Sequence, residues 1–103
     1  MIRVSFFKKG EMLTGFESKG HSNAAEYGND VVCAFVSSAC YMTANTVTEV
    51  MGLNADARAE DGYMRLSISN PEKAQDILNG MLLHLTELQS QYPENVKVTI
   101  TEE

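Results

Sequence analysis

From Val31 to Met51 the sequence runs apolar on nearly every face of a helical wheel, and Gly52 stops it. β-branched residues are common in this run, yet it far exceeds the length of an ordinary strand, so the pattern predicts a helix. A helix apolar on all sides must be buried on more than one of them. The chain has 103 residues, enough for one domain, 1–103, and too few for two ordinary ones. The remaining segments must therefore pack around that helix.

They do so in a regular order. Ile2, Val4 and Phe6 alternate with Arg3 and Ser5 as a half-buried strand should. Lys9-Gly10-Glu11 supplies a turn into a returning strand over 12–19. Gly20 to Asn29 is small and polar and reads as a loop before the long helix. Ala55, Ala57 and Ala59 alternate with charged residues, Asp61-Gly62 signals a hairpin turn, and Met64, Leu66 and Ile68 continue in the paired strand. Asn70-Pro71 reads as an N-cap followed by proline at the first helical position. Ala74, Ile77, Leu78, Met81, Leu82, Leu85 and Leu88 then form an amphipathic stripe ending before Pro93, and Val96, Val98 and Ile100 a last strand. The order ββαββαβ predicts a two-layer α+β domain, with two helices packed on one face of a sheet.

Hydrophobic residues make up 44% of the chain and charged residues 21%, a globular balance. The net charge is −6, and most of it falls in the second half of the chain. Such a surface repels phosphates, so direct nucleic-acid binding is not expected, and it attracts a basic protein. A domain this small has little stability to spare, which favours a partner subunit. No stretch of transmembrane length and no signal-peptide run are expected, so the reading is cytoplasmic, without a membrane partner. Cys33 and Cys40 stand seven residues apart on one helix. That is roughly 10 Å along the axis, too far for a disulfide.

If Asp30 caps the long helix, Cys33 falls in its first turn, where unsatisfied backbone N–H groups favour a thiolate nucleophile. His21, just ahead of the polar loop, is positioned to return to that helix start and take the thiol proton. Ser37, one turn beyond Cys33, shares its face.

The segment Gly20-His21-Ser22, followed by Gly28-Asn29-Asp30-Val31-Val32-Cys33-Ala34-Phe35-Val36-Ser37, resembles the signature of the ribosomal-processing cysteine protease family (Prp). That signature reads G-H-A, a variable loop, then G-x-D, two hydrophobic residues and C-A-x-x-S. The resemblance implies a cytosolic, homodimeric endopeptidase that removes a short N-terminal extension from a basic large-subunit ribosomal protein. Cleavage would follow an aromatic pair and precede a small residue. It also implies Cys33 as nucleophile and His21 as catalytic histidine, with Asp30 and Ser37 in supporting roles. Asp30 either caps the helix or orients His21. Gly20, Ser22 and Gly28 would frame a loop that gates the substrate. Ser22 stands where alanine is common in the family, and Cys40 where a larger aliphatic is typical.

A zinc set of His21, Cys33, Cys40 and His84 is excluded in this reading, because two cysteines two turns apart cannot share one tetrahedral ion. No metal and no cofactor are expected. The rival to the protease is a non-enzymatic module that binds the ribosomal protein during ribosome assembly.

Overall fold

The computed structural model describes residues 1–20 and 27–103. Five strands form one mixed sheet: β1 (Ile2–Lys9), β2 (Met12–Lys19), β3 (Ala55–Glu60), β4 (Tyr63–Ile68) and β5 (Val96–Glu102). Their spatial order is β3-β4-β2-β1-β5. All neighbours are antiparallel except β1 and β5, which run parallel. Helices α1 (Tyr27–Asn45) and α2 (Gln75–Gln91) make the second layer, in the expected ββαββαβ order.

The sheet register places every large apolar strand residue of the core on one face. Val4 lies opposite Ser18 and Val98, Phe6 opposite Phe16, and Phe16 opposite Leu66. Phe6, Phe16, Leu66, Leu78, Leu85 and Val32 are all fully buried, so the two helices and this face close a single core. The α2 stripe packs as its spacing predicts, with Leu78, Met81, Leu85 and Leu88 buried.

The opposite sheet face is polar. There the Tyr63 hydroxyl donates to Glu17 at 2.7 Å, and Lys19 and Arg65 each approach it at 3.4 Å. Burial pushes the Glu17 carboxyl up, but the Tyr63 hydrogen bond and the two cations outweigh it and hold the group below its ordinary value.

Three expectations need correction. The long helix begins at Tyr27, three residues before Asp30, so Asp30 lies in the first turn rather than at the N-cap. Gly28, Asn29 and Asp30 have loop composition. First-turn residues, however, have N–H groups with no intrahelical acceptor in any case, which lets poor helix formers sit there. Gly28 accordingly belongs to the helix and does not close a loop. At the other end α1 widens into a π-helical turn over Thr46–Val50, where the Met51 N–H donates to the Thr46 carbonyl at 2.8 Å.

Second, Asn70 makes no side-chain cap. Pro71–Ala74 is a 3-10 turn, and α2 begins at Gln75. Gln75 instead ties this turn to β2: its amide nitrogen donates to the carbonyls of Leu13 and Pro71, both at 2.7 Å, and its oxygen accepts from the Leu13 N–H at 3.0 Å.

Third, Val31–Val50 is long and apolar enough to cross a membrane by length and composition, with a mean hydropathy of 1.3. Its composition has another cause, because Val32, Val36, Ala39, Cys40, Thr43 and Val47 are buried in the domain core. In β3, Ala57 and Ala59 point to the core face but stay exposed. β3 is the edge strand, and alanine is too short to reach the helix layer.

Candidate active site

β2 leaves the sheet at Gly20, the residue before His21. Gly20 takes φ +109°, its N–H donates to the Gly62 carbonyl at 3.0 Å, and a Cβ built on it would collide with the Met1 carbonyl oxygen. Only glycine fits. The same hydrogen bond fastens the β3–β4 turn, in which Gly62 has φ +71°. Gly20→Ala is therefore expected to cost roughly 2–4 kcal/mol through strain at this junction, read as a lower denaturant midpoint.

Beneath the junction lies a cavity of about 320 Å³. One wall is α1, with Cys33, Ser37 and Tyr41 at successive four-residue steps. The other is the hairpin turn, with Glu60, Asp61 and Tyr63. Gly20 and Ser18 form its roof, and Cys40 lies deeper on the α1 side. Cys33 is half-buried and packs by its base against the core. Ser37 is exposed.

The two cysteines differ sharply although they line one cavity. Cys40 is 2% exposed, and its desolvation, opposed by a hydrogen bond from Ser18, pushes its thiol up to about 11. No disulfide joins it to Cys33.

The structure thus brings Cys33, Ser37 and Gly20 together around one space. His21 and Ser22, with the rest of residues 21–26 of the expected gating loop, lie outside the described residues. The expectation that orphan N–H groups surround Cys33 is not met. With the helix starting at Tyr27, those groups belong to residues 27–30, and Cys33 sits in the second turn. Of the residues weighed as a zinc set, His84 stands apart from the two cysteines. His84 lies on α2 beside a different cavity, and among the described residues no group of three or more His, Cys, Asp or Glu side chains could hold a metal. Sequence spacing missed the hairpin wall, because Glu60 to Tyr63 reach Cys33 only through the pairing of β2 with β4.

A family model described as the cysteine protease Prp matches residues 1–97. The chain belongs to the Prp family. The ribosomal processing cysteine protease Prp of Bacillus subtilis (strain 168) is 33% identical over 95 residues, covering 84% of this chain and 85% of that protein. The protein of the same name from Staphylococcus aureus (strain Mu50 / ATCC 700699) is 30% identical over 83 residues, covering 77% and 78%. Among solved structures, an essential ribosomal processing protease Prp from S. aureus in complex with a substrate peptide superposes with a TM-score of 0.87. It is 26% identical, covering 98% of this chain and 100% of that one. SMU.848 from Streptococcus mutans superposes equally well at 31% identity, covering 100% and 99%. The chain is therefore a cysteine protease of the Prp family, and the reading as a binding module without enzymatic activity falls.

Proposed function

We propose that this protease removes the N-terminal extension of a basic large-subunit ribosomal protein, with Cys33 as nucleophile and His21 as general base and acid. The observation that carries the assignment is a half-buried Cys33 opening into a walled cavity that Gly20, the residue before His21 in the sequence, also lines. Curated relatives named for ribosomal processing supply the substrate class.

In this reading the Cys33 thiolate attacks the scissile carbonyl carbon. The tetrahedral adduct collapses to a thioester as His21 gives its proton to the departing amine. Water, deprotonated by the same imidazole, then releases the acyl product and restores the thiol. Ser37, one turn along the same wall, is placed to hydrogen-bond the bound peptide, and Asp30 supports from the first turn of α1. A net charge of −6 favours encounter with a basic substrate. Incubation with the extended ribosomal protein, read by intact-mass spectrometry, tests the assignment. A single truncation at the extension supports it, and an uncut precursor overturns it.

The protein acts in this proposal as a cytoplasmic homodimer. The groove between α1 and α2, about 660 Å³, supports the second copy. It carries Met42 at 53% exposure and Phe35 at 43%, with Leu83 at 62% on the neighbouring surface. Met42→Glu should then shift the sedimentation coefficient from dimer to monomer. A wild-type protein that sediments as a monomer at working concentration refutes this part. Cytosolic residence is checked by cell fractionation, in which the protein should accompany assembling ribosomes.

A further inference from the structure

The cavity beside Cys33 does not end at Tyr41. A second space, about 140 Å³, continues from it along α1, and the two share Tyr41, Ala59 and Met64 as walls. One side of the continuation is Ala44, Asn45 and Thr48. The other is the alanine face of edge strand β3. Together the two spaces form a cleft that follows α1 from Cys33 to Thr48, roughly 22 Å at 1.5 Å per residue. An extended chain advances about 3.3 Å per residue, so the cleft has the length of about seven residues.

Its chemistry is defined by what the sheet register does. Ala57 lies opposite Leu66 and Ala59 opposite Met64, so both alanines face the helix layer. Arg58 and Arg65 also border the continuation, but their guanidinium groups are engaged on the other face. Arg58 binds Glu60 at 2.9 Å and lies 5.7 Å from the centre of the Tyr63 ring, while Arg65 pairs with Glu17 and lies 4.6 Å from the centre of the Phe7 ring. The side chains aimed into the continuation are therefore small or uncharged. An edge strand ordinarily carries β-branched or aromatic residues on its core-facing side. Alanine at 57 and 59 leaves a gap that a guest side chain can fill.

We propose that this cleft seats an extended, uncharged segment of the substrate on one side of the scissile bond, with Ala57 and Ala59 setting the size of side chain it accepts. The proposal rests on the protease reading and adds where the peptide lies. Bulky side chains of the guest replace the missing core-facing side chains of β3, and burial of their apolar surface supplies affinity beyond the reacting atoms.

The test is Ala57→Phe. The exchange is on an exposed strand position where an aromatic residue is a good strand former, so the fold should persist. It fills the continuation and leaves the cavity at Cys33 open. On a peptide long enough to occupy the cleft, kcat/KM should fall about tenfold or more, chiefly through KM. A peptide trimmed to the residues flanking the scissile bond should be cut as by wild type, and alkylation of Cys33 by iodoacetamide should keep its rate. Ala57→Met fills the same space with a flexible chain and serves if the phenylalanine variant does not fold. Unchanged kcat/KM on the long peptide in a folded variant overturns the proposal, as does an equal loss on both peptides with slowed alkylation. A wild-type enzyme that cuts neither peptide instead overturns the protease reading, and the cleft assignment with it.

Discussion

Replacing Cys33 by alanine is expected to abolish cleavage of the ribosomal-protein precursor, by roughly three orders of magnitude or more. Among the described residues, no other side chain lining the cavity offers an accessible thiol. Ser37 is a hydroxyl with no thiolate-like form near neutral pH, and Cys40 is sealed in the core. The fold should survive the exchange. Cys33 is only half-buried, alanine is the best helix former, and the side chain borders a cavity. Circular dichroism and the unfolding midpoint of the variant should therefore stay close to wild type while the mass-spectrometric assay shows intact precursor. His21→Ala should lose nearly as much, and the double variant no more than either, because nucleophile and base act as one unit. Residual cleavage by purified Cys33→Ala at more than a few per cent of the wild-type rate would move the chemistry to another residue.

Much of the fold could be read directly from alternation. Ile2, Val4 and Phe6 in β1 and Met64, Leu66 and Ile68 in β4 are periodic and buried on the predicted side, and of the stripe from Ala74 to Leu88 only Ile77 and Leu82 stay partly exposed. Where the sequence misled, local composition was overruled by position. Gly28-Asn29-Asp30 reads as loop, yet first-turn positions impose few hydrogen-bonding demands, so the helix takes them in. Asn70-Pro71 reads as a cap, but the Gln75 amide makes the connection to β2 instead. Ala55, Ala57 and Ala59 were legible as a strand. That two of them would stay open to solvent depends on β3 falling at the sheet edge, which only the full strand order decides. The site divides in the same way. Cys33 and Ser37 were legible from helical spacing, whereas Glu60, Asp61 and Tyr63 come from a distant hairpin carried there by sheet pairing.

Native protein treated with iodoacetamide should gain one label per chain, at Cys33, with Cys40 modified far more slowly at pH 8. Two independent effects set that gap. Only the thiolate reacts, and a thiol pushed up to about 11 is ionised to about one part in a thousand at pH 8. Access adds to this, because Cys40 is 2% exposed and an alkylating reagent reaches it only when α1 lifts from the sheet. Its labelling rate should consequently rise about tenfold per pH unit up to pH 11, as its thiolate fraction does, and should equal that of an ordinary cysteine in denaturant. Peptide mapping after timed labelling separates the two sites. Comparable native rates at Cys33 and Cys40 would show that the inner thiol is neither sealed nor neutral, and the cavity would then offer two nucleophiles. A gap of the expected size leaves Cys33 as the one cysteine that a peptide carbonyl can meet.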